Sequence, residues 1–456
     1  MTQRVFFRGA ALAASLVVAL PLVACSTSGA GQSGQDAGGK TIKVLVSSGH
    51  QQFKPVWDKL PEFTAQTGIK VQLDQVATTD IEGAFQRDVT VGACTYDNVE
   101  LLDGALAGAA PKMADLSTYL TKSGSSAQAL FDAQVGWTKG AMEFDGKVAY
   151  YPFYSGSKGI AYREDLFTDA KNKTDFKAEF GYDIPTPPTT PAQIVDLAKF
   201  FTGRGTQYGI VFSGQGDSGE TTLADVIFRH GVNGYQSDDD NAMWGPSNPA
   251  NQAKVVESAT WLTDLIKNGY APKSVTAMAT GEATSFYTDG NAAMIYDHIY
   301  LPWAQFSAQD VVSKIGESGS FAPPSFVEGA GGITFYWGRG IPECSKNKDA
   351  SWTFMQWVMS EENQKLALTE GQGVYVPTDK NLLAWSVEQG KVPQGVADAV
   401  STNQPYKVTT ATGRMRQKVN LPLVDRLYQG NLTPEQYAKD SGEAIQKEAV
   451  DSGLVK

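Results

Sequence analysis

A glycine-rich stretch in the middle of the chain has the spacing of a phosphate-binding motif. Residues 214–219 (GQGDSG) match G-x-G-x-x-G and lie between a predicted strand and a predicted helix. In dinucleotide-binding domains this motif opens the domain, and an acidic residue ends the following strand. Here the motif lies mid-chain, and the acidic residues 238–240 belong to a turn-like segment. We therefore expect no NAD or FAD, and predict that the loop brings backbone N–H groups, Gln215 and Asp217 to a binding cleft.

Other patterns for catalysis or metal binding are weak or missing. The three histidines, His50, His230 and His298, lie far apart in sequence, and the three cysteines show no CxxC or Cys/His spacing. Residues 238–241 (DDDN) lack the spaced ligands of a calcium loop and fit a solvated turn better. No G-x-S-x-G, H-E-x-x-H or P-loop motif is present. The sequence therefore predicts no metal, no other cofactor and no enzyme.

The charge balance argues against nucleic acid as a partner. The 456 residues include 38 Lys and Arg against 49 Asp and Glu, a net charge of -11, and no basic cluster stands out. Binding to phosphates needs a basic face, so nucleic acid is not expected. Composition is that of a globular protein, with 42% hydrophobic and 19% charged residues. The length suggests two lobes of roughly 150 to 200 residues each.

Residues 1–24 have the layout of an export signal. Arg4 and Arg8 precede an apolar run that is too short for a standard membrane-spanning helix. The sequence Leu-Val-Ala-Cys that ends at Cys25 resembles the lipobox of bacterial lipoproteins, which implies that Cys25 is lipidated. Residues 25–40 have no apolar face and are predicted to be a flexible tether close to a membrane surface. An uncleaved anchor and a plain signal peptide are the alternatives.

The elements that position the polar residues alternate between strands and helices. Apolar and alternating runs predict strands, including those at 41–47, 98–102 and 208–212, and stripes of 3.6-residue period predict helices between them. This alternation indicates α/β lobes with mainly parallel sheets. Capping boxes begin predicted helices at Thr190 and Thr433. Residues 349–368 are apolar nearly all round and predict one buried helix.

The segment 146–167 is predicted to cross between the two lobes. Its apolar runs 148–153 and 159–162 are predicted strands, joined by the polar, glycine-containing link 154–158, which suits a hinge. The rest of the sequence would then build the two lobes and the cleft between them.

Several segments together resemble the extracellular solute-binding proteins of bacterial ABC sugar importers, the group that includes maltose-binding protein. They run in the family's order from about Lys54 to Gln364, with a looser match to the C-terminus. The matching segments are PVWDKLPEFTAQTGIKVQL, GKVAYYPFYSGSKGIAYREDLF, PPTTPAQIVDLAKFFT, YGIVF, SNPANQAKVVESATWLTDLIKNGY, FYTDGNAAMIYDHIY and KDASWTFMQWVMSEENQ.

The resemblance implies a two-lobed α/β fold of the periplasmic-binding-protein type, with mainly parallel sheets flanked by helices. It also implies three hinge crossings, which we place near 153–158, 328–333 and 374–378. The first lobe is then predicted to comprise 41–153 plus 332–374, and the second lobe 154–331 plus 375–456. Cys94 and Cys344 both fall in the first lobe. This favours a disulfide between them, with two buried thiols as the alternative.

A sugar site needs aromatic platforms for the C–H faces and polar groups that leave no buried hydroxyl unpaired. Such groups are expected in loops at strand ends that face the cleft. Trp303 is the first choice for stacking, and strand alternation lets at most one of Tyr336 and Trp337 face the ligand. The predicted ligand-binding residues are Ser48, His50, Gln51, Asp103, Tyr154, Ser155, Gln215, Asp217, Asp297, Tyr300, Trp303, Trp337, Tyr375 and Arg414.

Most of these residues also have a purely structural interpretation. Residues 48–51 could be a solvated loop, and Asp103 could cap the helix that follows it. Tyr154 and Ser155 could serve only hinge packing, and a tryptophan such as Trp303 is often a core residue.

The sequence thus predicts the substrate-binding lipoprotein of an ABC importer. It would work as a monomer on the outer face of the cytoplasmic membrane, bind a mono- or oligosaccharide or a polyol, and deliver it to a membrane permease. Other solutes are kept as alternatives, namely a phosphate ester, a polyamine or a chelated metal. An exported hydrolase and a structural lipoprotein are the alternative classes of protein.

Overall fold

The computed structural model describes residues 40–232, 248–373, 375–405 and 411–454. The predicted signal peptide, the lipidation site Cys25, nearly all of the predicted tether and the acidic turn 238–241 lie outside the described residues.

The strands form two larger sheets and one small hairpin. In chain order they are β1 (Thr41–Ser47), β2 (Lys70–Val76), β3 (Asn98–Leu102), β4 (Glu143–Phe144), β5 (Lys147–Val148), β6 (Tyr151–Ser157), β7 (Gly159–Arg163), β8 (Tyr208–Phe212), β9 (Ala292–Asp297), β10 (Ser318–Phe321), β11 (Ile333–Gly340) and β12 (Gln404–Pro405).

Helices connect the strands and cover the sheets. The helices in the first half of the chain are α1 (Lys54–Asp58), α2 (Leu60–Thr67), α3 (Ile81–Thr90), α4 (Asp103–Ala109), α5 (Ser117–Lys122), α6 (Ala127–Ala133), α7 (Thr138–Met142), α8 (Glu164–Thr168), α9 (Ala170–Phe180), α10 (Pro191–Phe201) and α11 (Gly216–Arg229). The later helices are α12 (Pro249–Lys267), α13 (Thr280–Thr288), α14 (Trp303–Phe306), α15 (Gln309–Ile315), α16 (Lys348–Val358), α17 (Glu361–Glu370), α18 (Lys380–Glu388), α19 (Gln394–Thr402), α20 (Thr412–Arg414), α21 (Leu421–Tyr428) and α22 (Pro434–Asp451). A π-helical segment, Met415–Asn420, joins α20 to α21.

The six-stranded sheet has the order β12-β11-β3-β1-β2, and β6 also pairs with β11. Strand β1 runs parallel to β2 and β3, whereas β11 is antiparallel to β3 and β6. The four-stranded sheet has the order β10-β7-β9-β8, with β8 and β9 parallel and β7 antiparallel to both of its neighbours. Both sheets are therefore mixed, and among the described strands the prediction of mainly parallel sheets holds for β2-β1-β3, β11-β12 and β8-β9.

Local sequence signals explain where several helices begin and end. Thr190 and Thr433 form the predicted capping boxes at the starts of α10 and α22. Gly68 ends α2 with a φ of 72°, a left-handed conformation that glycine adopts at no steric cost. The prediction of one helix over 349–368 is wrong. The chain breaks between α16 and α17, because the Ser360 hydroxyl accepts the backbone N–H of Asn363 and begins a new helix.

The chain passes directly from one sheet to the other between β6 and β7. Strand β6 belongs to the six-stranded sheet and β7 to the four-stranded sheet, with Lys158 as the one residue between them. The predicted polar link 154–158 is therefore not a loop, since β6 continues to Ser157 through pairing with β11. The passage is tight, and Lys158 is fully buried in it.

Two further connections join the same regions. The chain returns between β10 of the four-stranded sheet and β11 of the six-stranded sheet, and Ser155 pairs with Val376 in an isolated bridge near the third predicted crossing. Asn403 ties these segments together, because its side-chain amide donates to Ser157 Oγ and to the backbone carbonyl of Ile333. Strand β12 pairs with β11 in the six-stranded sheet. The exact lobe boundaries remain a prediction.

Cys94 and Cys344 are joined by a disulfide in the structure, with Cα atoms 5.8 Å apart. The bond links the turn before β3 to the turn that follows β11, across 250 residues of sequence.

Within the described ranges, no helix combines the length and apolar character needed to cross a membrane.

Candidate functional site

Strand ends of both sheets carry the polar groups of the candidate site. His50 follows β1, and Asp103 begins α4 directly after β3. Asp297 ends β9, and Gln215 precedes α11 shortly after β8. In parallel arrangements these carboxyl ends of strands share one edge of a sheet, which is where α/β proteins bind ligands.

A buried ion cluster lies under the first sheet edge. Glu100 accepts hydrogen bonds from His50 Nδ1 at 2.9 Å and from Arg339 Nη2 at 2.7 Å, and also from the backbone N–H of Ser47. Glu100 and Arg339 are exposed by 1% or less. Burial alone would raise the pKa of the Glu100 carboxyl, but His50, Arg339 and the Ser47 N–H outweigh burial and hold that pKa below its usual value. We call Glu100, His50 and Arg339 the Glu100 cluster.

Aromatic rings enclose His50 and link it to the crossing strand. The ring of Trp337 lies 4.4 Å from the His50 ring, and that of Tyr154 lies 5.0 Å from it. Tyr336 instead packs on Trp137, with ring centroids 5.1 Å apart. The two neighbouring aromatic residues of β11 thus have different surroundings, as strand alternation requires.

Asp103 is a buried carboxylate with one unused oxygen. It is 2% exposed, and Oδ1 accepts the backbone N–H of Gly104 at 2.5 Å. Among the described residues, Oδ2 has no hydrogen-bond partner, although the backbone N–H of Tyr336 is near enough to the carboxylate to favour its charged form. Burial raises the pKa of Asp103 to about 6, against the opposing effect of Arg416. Its side chain does not serve as the helix cap that the sequence left open.

Asp297, at the end of β9 in the four-stranded sheet, likewise has one carboxylate oxygen bound by the protein and one without a partner among the described residues. Its Oδ1 accepts from Lys158 Nζ at 3.1 Å, from Thr280 Oγ1 at 3.2 Å and from the backbone N–H of His298 at 2.8 Å. Its Oδ2 is buried and has no hydrogen-bond partner among the residues that the structure describes. Burial would raise the pKa of Asp297, but Lys158 and His298 outweigh burial and hold it far below its usual value. The carboxylate is therefore charged, with one oxygen occupied by the protein and one unoccupied.

His298 carries the third unpartnered group at this edge. Its Nδ1 lies 3.4 Å from Asp297 Oδ1, and its buried Nε2 has no partner. Burial, reinforced by the nearby Lys158 ammonium, lowers the pKa of His298, so the ring is neutral at pH 7. We assign the proton to Nδ1, which faces the carboxylate, and this leaves Nε2 as an acceptor.

The two sheet edges meet through aromatic contacts. The side chains of Tyr154 and Tyr300 interact through their hydroxyl groups. Gly156 makes room for this contact, because a Cβ at that position would lie 2.2 Å from the Tyr300 hydroxyl oxygen. The ring of Phe335, on β11, lies 5.1 Å from that of His298. Residues of both sheets therefore line one region.

Arg416 joins Asp103 electrostatically to the start of α11. Its guanidinium donates to Glu220 at 3.0 Å and to Asp217 at 3.2 Å, and its charge acts on Asp103. The Asp217 charge in turn acts on both Asp103 and His298. Asp217 is exposed, whereas Glu220 is 1% exposed.

Some predicted residues lie beside this region but make structural contacts. Ser48 is half-buried and donates its backbone N–H to Val76, and Gln51 is exposed with its amide on the Ser48 carbonyl. Ser155 donates its hydroxyl to the Val376 carbonyl at 3.1 Å. Tyr375 is fully buried and packs its ring 5.7 Å from Tyr154. Ser155 and Tyr375 therefore hold the connection between the sheets.

The glycine-rich stretch is a tight turn onto a helix. Helix α11 begins at Gly216, within the glycine-rich stretch itself. The backbone N–H groups of Gly214 and Gln215 both donate to the Met278 carbonyl, and that of Gly216 donates to Asp425 at 3.1 Å. A Cβ at Gly219 would lie 2.5 Å from the backbone of Gly214, so close packing explains these glycines. The N–H groups of Gly214, Gln215 and Gly216 are thus bound within the protein, and the Gln215 side chain is exposed.

Trp303 and Arg414 are not brought together with the other residues. Trp303 is half-buried at the start of α14, with its ring 5.9 Å from Phe306. Arg414 is exposed and binds residues of α22, with Nε 2.5 Å from Glu448 Oε1 and Nη2 2.7 Å from Ser452 Oγ.

Sequence reasoning missed several residues of this region. They are Glu100, which is bound to His50, Arg339, which is bound to Glu100, and the two partners of Asp297, Lys158 and Thr280. A usable signal exists for three of them, since Glu100, Lys158 and Arg339 are charged residues inside otherwise apolar predicted strands or their junction. A charge in such a position needs a partner. Across the described ranges, no group of three or more His, Cys, Asp and Glu side chains is arranged to hold a metal ion.

Comparison with known families identifies the class of protein that this fold and site define. The family model described as bacterial extracellular solute-binding protein matches residues 60–394, which is most of the chain. The chain therefore belongs to the bacterial extracellular solute-binding proteins, and the family implies export.

Solved structures show the same two-lobed fold. A maltose-bound protein of T. maritima has a TM-score of 0.66 and 17% sequence identity, covering 89% of this chain and 99% of its own. An ABC substrate-binding protein from Listeria monocytogenes in complex with cycloalternan has a TM-score of 0.64 and 19% sequence identity, and the match covers 90% of this chain and 98% of its own. An ABC transporter solute-binding protein from Agrobacterium radiobacter K84 in complex with ribitol has a TM-score of 0.63 and 20% sequence identity, and the match covers 91% of this chain and 100% of its own. At these identities the likeness concerns the fold.

Proposed function

We propose that this chain binds a carbohydrate, namely a mono- or oligosaccharide or a polyol, between its two sheets and delivers it to an ABC permease. One observation carries the proposal. Asp103, Asp297 and His298 hold buried polar atoms without partners, and these lie beside aromatic residues of both sheets. Leaving such an atom unpaired costs about 1–3 kcal/mol, a cost that the hydroxyl groups of a bound sugar would remove.

The solved structures of similar fold support this choice of ligand. Their bound molecules include maltose, cycloalternan and ribitol, which are all polyhydroxylated. Tyr154 and Tyr300 supply hydroxyl groups and ring faces where the sheets meet. Trp337 adds an indole near His50. Aromatic faces with a few fixed polar groups are the usual composition of such a site.

The proposed mechanism is capture by closure of two lobes without catalytic turnover. The lobes would comprise 41–153 plus 332–374 and 154–331 plus 375–456, hinged where the chain passes between the sheets. A bound sugar would contact Asp103 from one lobe and Asp297 from the other, so that binding stabilises the closed form. Release of a product from any sugar that binds would contradict a binding-only role.

We further propose that the protein acts as a monomer anchored by a lipid on Cys25, with residues 25–40 as its tether. The Leu-Val-Ala-Cys sequence supports this part of the proposal. Replacement Cys25→Ser should move the protein from the membrane fraction to the soluble exported fraction. Membrane retention of the variant would contradict lipid anchoring, and elution as a dimer in size-exclusion chromatography would contradict the monomer.

The binding proposal is tested by native mass spectrometry of the purified protein, followed by thermal-shift titration with a carbohydrate panel. A carbohydrate at 100 times its dissociation constant should add about 2.7 kcal/mol to the free energy of unfolding. A panel of phosphate esters, polyamines and chelated metals serves as the comparison. Stabilisation by one of these, with none by any carbohydrate, would overturn the assignment.

A further inference from the structure

The unpartnered buried atoms near the meeting edge of the two sheets share one chemical character. Asp103 Oδ2, Asp297 Oδ2 and His298 Nε2 each lack a hydrogen-bond partner. The first two are carboxylate oxygens, which only accept hydrogen bonds while charged. The third belongs to a neutral imidazole whose other nitrogen faces Asp297, so it accepts as well. Each atom can therefore be satisfied by a hydrogen-bond donor.

Among the described residues, the buried side-chain N–H groups without a partner belong to Arg229, Trp261 and Arg339. The hydroxyls of Thr284 and Thr334, which can donate or accept, are unpartnered as well. Arg229 and Trp261 border the same small cavity beside Phe326, and Arg339 belongs to the Glu100 cluster. The two carboxylate oxygens and the imidazole nitrogen nevertheless give Asp103, Asp297 and His298 a shared requirement for a hydrogen-bond donor.

The charges around these three acceptor atoms also disfavour an anionic ligand. The Asp297 charge is matched by Lys158, which binds its other oxygen. Arg416 is bound to both Asp217 and Glu220, so a single guanidinium serves those two carboxylates as well as acting on Asp103. An anionic group placed beside Asp103 would meet the negative charge of that carboxylate in a poorly solvated position.

We propose that the site selects its ligand by hydrogen-bond polarity and charge. The ligand donates hydroxyl or ammonium hydrogens to Asp103 from one side and to Asp297 from the other, and carries no anionic group there. This deepens the proposed function and rests on it. Neutral carbohydrates and amino sugars fit the site, whereas uronic acids and sugar phosphates do not. Of the alternative solutes, the inference excludes phosphate esters and leaves cationic amines.

Calorimetric titration at pH 7.5 tests the inference with four probes of similar size, glucose, glucosamine, glucuronate and glucose 6-phosphate. We expect glucuronate and glucose 6-phosphate to bind at least about tenfold more weakly than the better of the other two. Maltose and maltose 1-phosphate, and ribitol and ribitol 5-phosphate, give the same comparison on other frameworks. Equal or tighter binding of the anionic member in the pair that binds would overturn the inference while the proposed carbohydrate function stands. Absence of binding by every probe would overturn both.

Two substitutions test which residues make the selection. Asp103→Asn and Asp297→Asn each keep the shape of the side chain but replace an unpaired acceptor by an amide that also donates. Loss of a hydrogen bond to a charged group corresponds to roughly 10- to 100-fold in affinity. We expect a loss of that size for the neutral probe, together with a smaller ratio between neutral and anionic probes.

The ratio is the informative measurement, because a merely structural defect would weaken both probes alike. Asp183→Asn is the matched control, since it removes the same charge from a side chain that is 79% exposed and paired with Lys177. We expect the control to change neither affinity by more than about twofold. If the neutral-to-anionic ratio of both site variants equals that of the wild type, Asp103 and Asp297 do not select the ligand and the inference is wrong.

Discussion

Two buried carboxylates of this protein, Glu100 and Asp297, look alike in burial but differ in how their oxygens are used. Each is 1% exposed and lies beside a fully buried cation, Arg339 or Lys158. Both oxygens of Glu100 accept hydrogen bonds from the protein. At Asp297 all protein donors converge on Oδ1 and leave Oδ2 unpartnered.

The difference separates a structural ion pair from a group kept for a ligand. A fully satisfied buried network fixes the positions of its members, whereas an unpartnered buried oxygen costs free energy until something binds it. Glu100 holds together β1, β3 and β11 through residues far apart in sequence. Asp297 is held firmly by one oxygen and presents the other. Asp103 repeats the second arrangement on the opposite side of the site.

The largest expected effect is the loss of stability when Glu100, whose two oxygens both accept hydrogen bonds, loses its cation. Arg339→Met removes the cation bound to Glu100 Oε2 and leaves that buried carboxylate with only His50 and the Ser47 N–H on its other oxygen; breaking a buried ion pair typically costs about 3–5 kcal/mol. Urea unfolding should show a loss of that size. Lys171→Met is the control, because it breaks an exposed pair with Asp175 and should cost less than about 1 kcal/mol. A loss below about 1 kcal/mol for Arg339→Met would mean that the Glu100 cluster is not a structural ion pair.

The next effect concerns the pH dependence of Asp103. Its pKa in the folded protein is raised from 3.8 to about 6, so between these values the folded state binds more protons than the unfolded state. The contribution of Asp103 to stability is therefore intact below about pH 4 and is lost as the pH rises through about 6. From the pKa difference, the loss is on the order of 3 kcal/mol.

Comparison with Asp103→Asn isolates this contribution, because the amide does not titrate. In urea unfolding at pH 4 and pH 7, the variant should gain stability relative to the wild type as the pH rises. The stability difference between the two proteins should therefore shift towards the variant by on the order of 3 kcal/mol between pH 4 and pH 7. A constant stability difference between the two proteins from pH 4 to pH 7 would show that Asp103 is not a poorly solvated carboxylate.

The sequence predicts the local elements of this fold well. Strands β1, β3 and β8 have the predicted bounds, and both capping boxes form at Thr190 and Thr433. These features depend on neighbouring residues, which a periodicity or a capping pattern records. The break between α16 and α17 is also local, but the apolar character of the segment concealed the capping role of Ser360.

The site is predicted only in part, since its partners are distant in sequence. Asp103, Asp297 and Tyr300 are found because they follow or end strands. Pairings such as Glu100 with Arg339, which are 239 residues apart, depend on sheet order and leave no local pattern. Register also matters, because strand β6 extends through the predicted link and buries Lys158 against Asp297.

A smaller effect on stability and affinity is expected at the contact between Gly156 and Tyr300, where the two sheet edges meet. Gly156→Ala would place a Cβ 2.2 Å from the Tyr300 hydroxyl oxygen, so Tyr300 must move away from Tyr154. Overpacking of this kind costs about 1–3 kcal/mol, and carbohydrate affinity should fall with it. Gly140→Ala is the control, because a Cβ there meets nothing within 4 Å. Stability losses of Gly156→Ala and Tyr300→Leu that simply add in the double variant would contradict the steric explanation.

The smallest effect distinguishes two arginines only two positions apart. Arg414, which the sequence predicts as a ligand contact, is exposed and bound to Glu448 on α22, whereas Arg416 is bound to Glu220 and acts on Asp103. In calorimetric titration with the best-binding carbohydrate, Arg414→Ala should therefore change affinity by less than about twofold, since an exposed ion pair contributes little. Arg416→Ala should weaken binding more, because it removes the cation whose charge acts on the buried Asp103 carboxylate. The reverse order of effects would return Arg414 to the site and remove the electrostatic link between the start of α11 and Asp103.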